Sequence, residues 1–170
     1  MAVRELLQYP DARLKQACAP VTDFGPPLAG LVTDLVDTLS AHPGVGIAAP
    51  QVGVMLRVVL VDVRGKHPER PRRVLVNPEI LELHEKKLVR EGCLSVPDFT
   101  ANVLRADRIR VRARDEHGAS FELETDGLEA IAIQHECDHL DGKLFLDRVA
   151  SLKTDVFRRK GVSKSVPLPT

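Results

Sequence analysis

The residues most able to do chemistry lie in Gln134-His135-Glu136-Cys137-Asp138-His139, a His-Glu-x-x-His pattern. A helix turns roughly 100° per residue, so two histidines four apart share a face one turn apart and can meet one metal ion. Glu136, next to that face, can take a proton from a water the ion activates. A chance match would instead leave two histidines near a helix surface and a solvated glutamate. Such a site needs a third protein ligand, yet no His or Glu follows His139. Asp141, Asp147 and Asp155 remain, and Asp141 follows too closely to fold back easily. The third ligand is therefore expected upstream, with cysteine the obvious type. Cys137 lies about 200° around the helix from the histidines, which leaves Cys18 or Cys93.

The elements that must position these groups can be read outward from the motif. Leu128, Ile131, Ala132, Ile133 and Leu140 predict a buried amphipathic helix over 128–140, capped by Thr125 or Asp126. Cys93 sits in Glu91-Gly92-Cys93-Leu94-Ser95-Val96-Pro97, where Gly92 frees the backbone and Pro97 ends strand pairing. Cys18 follows a short helix begun by Asp11 and precedes Ala19-Pro20, the setting of a small buried thiol. Cys93 is the better placed of the two. The segment 42–51, with two glycines and two prolines, forbids a regular helix and leaves main-chain groups open to a ligand, with Gln51 a neutral amide donor at its end. Leu28 to Leu39 recur at helical spacing and read as core. Strands are expected over 56–62, 73–76, 80–89 (with His84 and Lys86-Lys87 at a solvated turn), 108–114 and 121–124, with a last helix over 151–160.

Bulk properties narrow the function classes. At 170 residues the chain suits one domain, taken as residues 1–161 with a flexible tail at 162–170. Basic and acidic residues balance at 24 each, so nothing attracts the whole molecule to nucleic acid or membrane. No signal-like leader is visible, and the most apolar segment, 52–63, is too short to span a bilayer. Three irregularly spaced cysteines fit a reducing compartment, so the expected location is the cytoplasm. Charge is uneven: Arg148, Lys153, Arg158, Arg159, Lys160 and Lys164 face Asp155 alone after residue 147.

Three stretches, Gly44-Val45-Gly46-Ile47-Ala48-Ala49-Pro50-Gln51, Glu91-Gly92-Cys93-Leu94-Ser95 and Gln134 to His139, together resemble peptide deformylase of the bacterial type, in that family's order and at similar separations. The similarity runs from Gln8-Tyr9-Pro10 nearly to the end; Leu104 is a departure, standing where many members have Pro. The resemblance implies an α+β fold, with mixed β-sheets around a central metal-binding helix and a C-terminal helix. It implies a Cys93, His135, His139 ligand set with Glu136 as catalytic carboxylate, and removal of formate from N-terminal formyl-methionine of new polypeptides. Gln51 and the Leu94 N–H would stabilise charge on the formyl oxygen. Val45 and Gly46 would pair with the peptide, while Val45, Val89, Leu128, Ile131 and Ala132 would line the methionine pocket. The implied native ion is Fe(II), with Zn(II), Ni(II) or Co(II) as replacements; one thiolate and two imidazoles suit iron and zinc alike. A monomer is expected, with weak ribosome contact through the basic C-terminal helix.

Two other readings use the same residues. A general metallopeptidase would cleave internal peptide bonds, and the missing downstream ligand counts against it. A structural metal site is normally closed by four protein ligands and gains nothing from Glu136.

Overall fold

In a computed structural model describing residues 2–169, two α-helices and six strands follow in the order α1 (Pro26–Ser40), β1 (Gly46–Ala48), β2 (Val58–Val61), β3 (Arg73–Cys93), β4 (Val96–Arg114), β5 (Ser120–Asp126), α2 (Gly127–Leu140) and β6 (Val156–Arg158). The strands form one sheet ordered β1-β2-β3-β4-β5, with β6 added to β4. The α+β class is as expected. The pairing is not mixed: every ladder is antiparallel, and the one parallel pairing among the described residues is the isolated bridge Ala19–Leu56. Neighbouring strands here double back on one another, whereas parallel ladders need long crossovers.

The separate strands expected at 73–76 and 80–89 are one 21-residue strand. Asn77, at φ 50°, absorbs an irregularity between them, and its side-chain amide accepts from the Val21 N–H and donates to the Val21 carbonyl. No turn forms at His84 to Lys87. The ladder keeps its register across Glu85, at φ 60°, with His84 paired to Arg108, Lys86 to Ala106 and Lys87 to Arg105. The hairpin turns instead at Leu94-Ser95, two residues between Cys93 and its partner Val96. The short helix after Asp11 is a single 3₁₀ turn, Ala12–Lys15, whose first N–H groups include one bonded to the Asp11 carboxylate.

The helix expected over 151–160 does not form. β5 covers β4 only from Arg108 to Arg114, so the free edge at Phe99–Ala101 takes β6, pairing Ala101 with Val156 and Phe99 with Arg158. Backbone groups left unpaired near a core are costly, and this edge outweighs a helix with little apolar face. The tail packs rather than standing free. Arg158 donates to the carbonyls of Lys164 and Val166, and Val166 and Leu168 rest on an apolar cluster with Phe99 and Val156.

Alternation along β2 builds two cores at once. Val59 and Val61 face α2 with Ala130, Ile133, Cys137 and Leu140, while Val58 and Leu60 face Leu28, Leu31, Leu35 and Leu39 of α1. The helix α2 is thereby enclosed, with every residue from Ala132 to Leu140 buried, so its expected amphipathic character gives way to burial all round. Gln134 docks it edge-on to β4, its amide accepting from the Ala106 N–H and donating to the Ala106 carbonyl. Among the described residues, no helix is long and apolar enough to cross a membrane.

Candidate metal centre

Three segments meet over the middle of α2. The end of β3 brings Cys93, α2 brings His135 and His139, and one ligand-type atom from each lies within 4.8 Å of the others. Cys93 Sγ is 3.3 Å from His139 Nε2, and the imidazole centroids are 5.2 Å apart. All three residues are buried, Cys93 being 7% and His139 1% exposed. Cys18 and Cys137 lie elsewhere, in the core between α2 and the sheet, and burial pushes the Cys137 thiol up to about 12.

The neighbours set each donor's state. His135 Nδ1 lies 2.7 Å from the Glu91 carboxylate, so its proton belongs on that nitrogen and Nε2 is left as the ligand. Burial alone would lift the Glu91 carboxyl, but hydrogen bonds from His135 and Arg105 outweigh it and hold the group at about 2. Burial also works against a charged His135, yet the hydrogen bonds to Cys93 and Glu91 raise it well above its usual range. Burial and the His135 charge keep His139 neutral. A divalent cation in this cluster competes with a proton at His135, so the donors are suited to binding metal with proton release.

Glu136 points into the cleft in front of these residues. Burial raises its carboxyl to about 7, and Oε2 has no hydrogen-bond partner. Gly46 makes room for it, since a Cβ there would stand 2.7 Å from Glu136 Oε1. An orphaned buried carboxylate oxygen beside a thiol and two imidazoles fits a bound cation and its water. Gln51 stands on the 3₁₀ turn Ala49–Val52, and its Oε1 accepts the Ala48 N–H at 2.8 Å, which decides the amide orientation. Its Nε2 then faces Ser95 Oγ at 3.1 Å and Cys93 Sγ at 3.6 Å. The Leu94 side chain rests against Gly44.

Beyond the donors the cleft opens between β1, the start of α2 and the Gly92 region. Val45, Gly46, Gln51, Leu94, Leu128, Ile131 and Ala132 line it together with Cys93, His135 and Glu136. Val89 does not line it and packs into the cluster around Phe99.

Sequence reasoning missed the support beneath the donors. Arg105, 3% exposed, is bonded to Glu91 through Nε and Nη2 and to Asp138 through Nη1, and Arg148 closes on Asp138 from outside. A signal existed: Ala101, Val103 and Arg105 share the inward phase of β4, where an arginine must have buried partners.

This combination, a Cys/His/His metal-binding group with an adjacent buried glutamate in an open cleft, defines a metal-dependent hydrolase. Residues 3–155 match the polypeptide deformylase family. A peptide deformylase of Alkalilimnicola ehrlichii is 46% identical over 160 residues, covering 94% of this chain and 89% of that one. The crystal structure of a peptide deformylase from Legionella pneumophila superposes with a TM-score of 0.84 at 44% identity, over 89% of each chain. An actinonin-bound class I type b deformylase from Acinetobacter baumannii gives 0.81 at 36% identity, over 88% of this chain and 100% of that one. The chain belongs to the polypeptide deformylase family, metallohydrolases that release formate from the N-terminal formyl-methionine of newly made polypeptides.

Proposed function

We propose that Cys93, His135 and His139 hold one divalent ion and that Glu136 is the proton carrier of the deformylation. The observation that carries this reading is the meeting of three buried ligand atoms within 4.8 Å in front of a carboxylate with an unpartnered oxygen. When bound, the ion supplies Lewis acidity toward water and the formyl oxygen. Glu136 takes a proton from the attacking water as its oxygen bonds to the formyl carbon. It then delivers that proton to the amine nitrogen as the carbon–nitrogen bond breaks, leaving formate and a free N-terminal methionine. The Gln51 amide and the Leu94 N–H donate to the formyl oxygen as negative charge gathers there.

The peptide runs antiparallel or parallel to β1 as an added strand at Val45 and Gly46; β1 pairs with β2 alone among the described strands. Val45, Leu128, Ile131 and Ala132 take the methionine side chain, whose flexible thioether suits an apolar slot. Val89 is dropped from this set because it packs away from the cleft. Residues 1–161 act as one catalytic domain, working as a monomer in the cytoplasm. Fe(II) is the native ion, replaceable by Zn(II), Ni(II) or Co(II), and metal analysis after anaerobic purification tests that choice. The exposed basic residues near the C-terminus give weak ribosome contact.

The test of the proton carrier is Glu136→Gln, assayed on formyl-Met-Ala with metal content measured in the same samples. The variant should keep its ion and lose about 10²–10⁴-fold in turnover. Near-normal turnover in a fully loaded variant would remove Glu136 from the mechanism.

A further inference from the structure

The C-terminal strand places a charge at the cleft that the catalytic reading does not use. Arg159 follows β6 directly, and its N–H donates to the Asp98 carbonyl at 2.9 Å, so its backbone is fixed to β4. Its guanidinium lies beside Gly92, where a Cβ would crowd Nη2, and Arg159 lines the cleft. Arg90, two residues before Gly92, also lines the cleft. Neither arginine has a carboxylate partner among the described residues. Arg90 donates to the neutral Asn102 amide and lies 3.7 Å from the Phe157 ring centroid, while Arg159 makes no ion pair. Glu91, between them in sequence, is buried and committed to Arg105 and His135. Two exposed cations therefore stand unneutralised on one rim of the cleft.

Their distance from the reaction centre can be set by chain geometry. Gly92 precedes Cys93, and neighbouring Cα atoms are about 3.8 Å apart. An extended peptide advances about 3.3 Å per residue. A chain with its formyl group at the centre that leaves the cleft past Gly92 brings its second and third residues within reach of this rim. We propose that Arg159, assisted by Arg90, is a specificity-determining residue that favours substrates with Asp or Glu at the second and third positions after formylation. The inference rests on the deformylase reading and adds a charge preference to it.

The test compares kcat/KM for formyl-Met-Glu-Glu, formyl-Met-Ala-Ala and formyl-Met-Lys-Lys, all C-terminally amidated so that no terminal carboxylate substitutes for the side chains. Wild type should prefer Glu over Ala by about fivefold, the upper range for an exposed charge pair, and should prefer Ala over Lys. The difference should appear in KM and shrink between low and high salt. Arg159→Ala should flatten the series and Arg159→Glu should invert it, with the Ala-Ala peptide within about twofold of wild type in both, since exposed charge pairs are worth little beyond their own partner. Thermal unfolding of each variant checks the β6 pairing, which uses main-chain groups. Equal kcat/KM for the three peptides in wild type, or a Glu preference that survives Arg159→Glu, overturns the inference while leaving deformylation intact. Failure to deformylate the Ala-Ala peptide at all would instead strike the reading beneath it.

Discussion

Residues 128–140 and 151–160 both read as helices from sequence, and both are rich in charge, yet only the first is one. In α2 nearly every polar group is buried and has a designated partner: Gln134 on β4, Asp138 on Arg105 and Arg148, His135 on Glu91. In the second segment Lys153 and Lys160 are exposed, and apolar Val156 serves better as a strand residue against Ala101. The difference teaches that periodicity decides helix formation only where tertiary packing rewards the same face. Where a neighbouring sheet edge lacks a partner, the edge decides.

The comparison breaks first at Arg105. If α2 owes its function to buried, paired charges, Arg105→Met should destabilise the fold by about 3–5 kcal/mol, because it strands Glu91 and Asp138. Urea unfolding of the metal-loaded protein measures this; a loss below about 1 kcal/mol would mean the network is not needed to hold the floor of the cleft.

A smaller effect, of opposite sign, should come from Glu136. Its carboxyl stands at about 7 in the metal-free fold because burial disfavours the charge, against an ordinary value of 4.5. Between those values the folded chain holds a proton that the unfolded chain has lost, so stability falls as pH rises through the window. At pH 8 the buried charge costs about 3 kcal/mol. Metal-free Glu136→Gln should therefore be more stable than wild type at pH 8, with the gain shrinking toward pH 4.5. Equal urea midpoints at both pH values would contradict a buried, destabilising carboxylate.

How much of this was legible depended on whether a residue's partner lay nearby in sequence. His135, Glu136 and His139 announce themselves because helical geometry alone brings them together. Cys93 needed the Gly92 turn beside it. Arg105 and Asp138 are 33 residues apart, and only the register of β3, β4 and α2 shows that they meet. The break expected at His84 failed because the long β3–β4 ladder runs in register through residues that resemble a turn, pairing Lys86 with Ala106 and Lys87 with Arg105. The C-terminal strand was illegible for a related reason, since its partner edge exists only once β5 stops short.

The smallest effect is expected at the basic end. Changing Lys153, Arg158, Arg159 and Lys160 to Ser together should leave turnover of amidated formyl-Met-Ala-Ala nearly unaltered and weaken ribosome co-sedimentation at low salt, where phosphate contacts matter most. Co-sedimentation unchanged by the substitutions would confine these charges to the roles seen within the chain.

The most direct test of the central claim is metal stoichiometry in three single variants, Cys93→Ala, Cys18→Ala and Cys137→Ala, purified identically. Cys93 alone joins His135 and His139 in the cluster, while the other two thiols lie in the apolar core. The expected result is loss of the tightly bound ion in Cys93→Ala and about one ion per chain in the other two. A fully loaded Cys93→Ala, or an ion lost only from Cys18→Ala, would contradict the site.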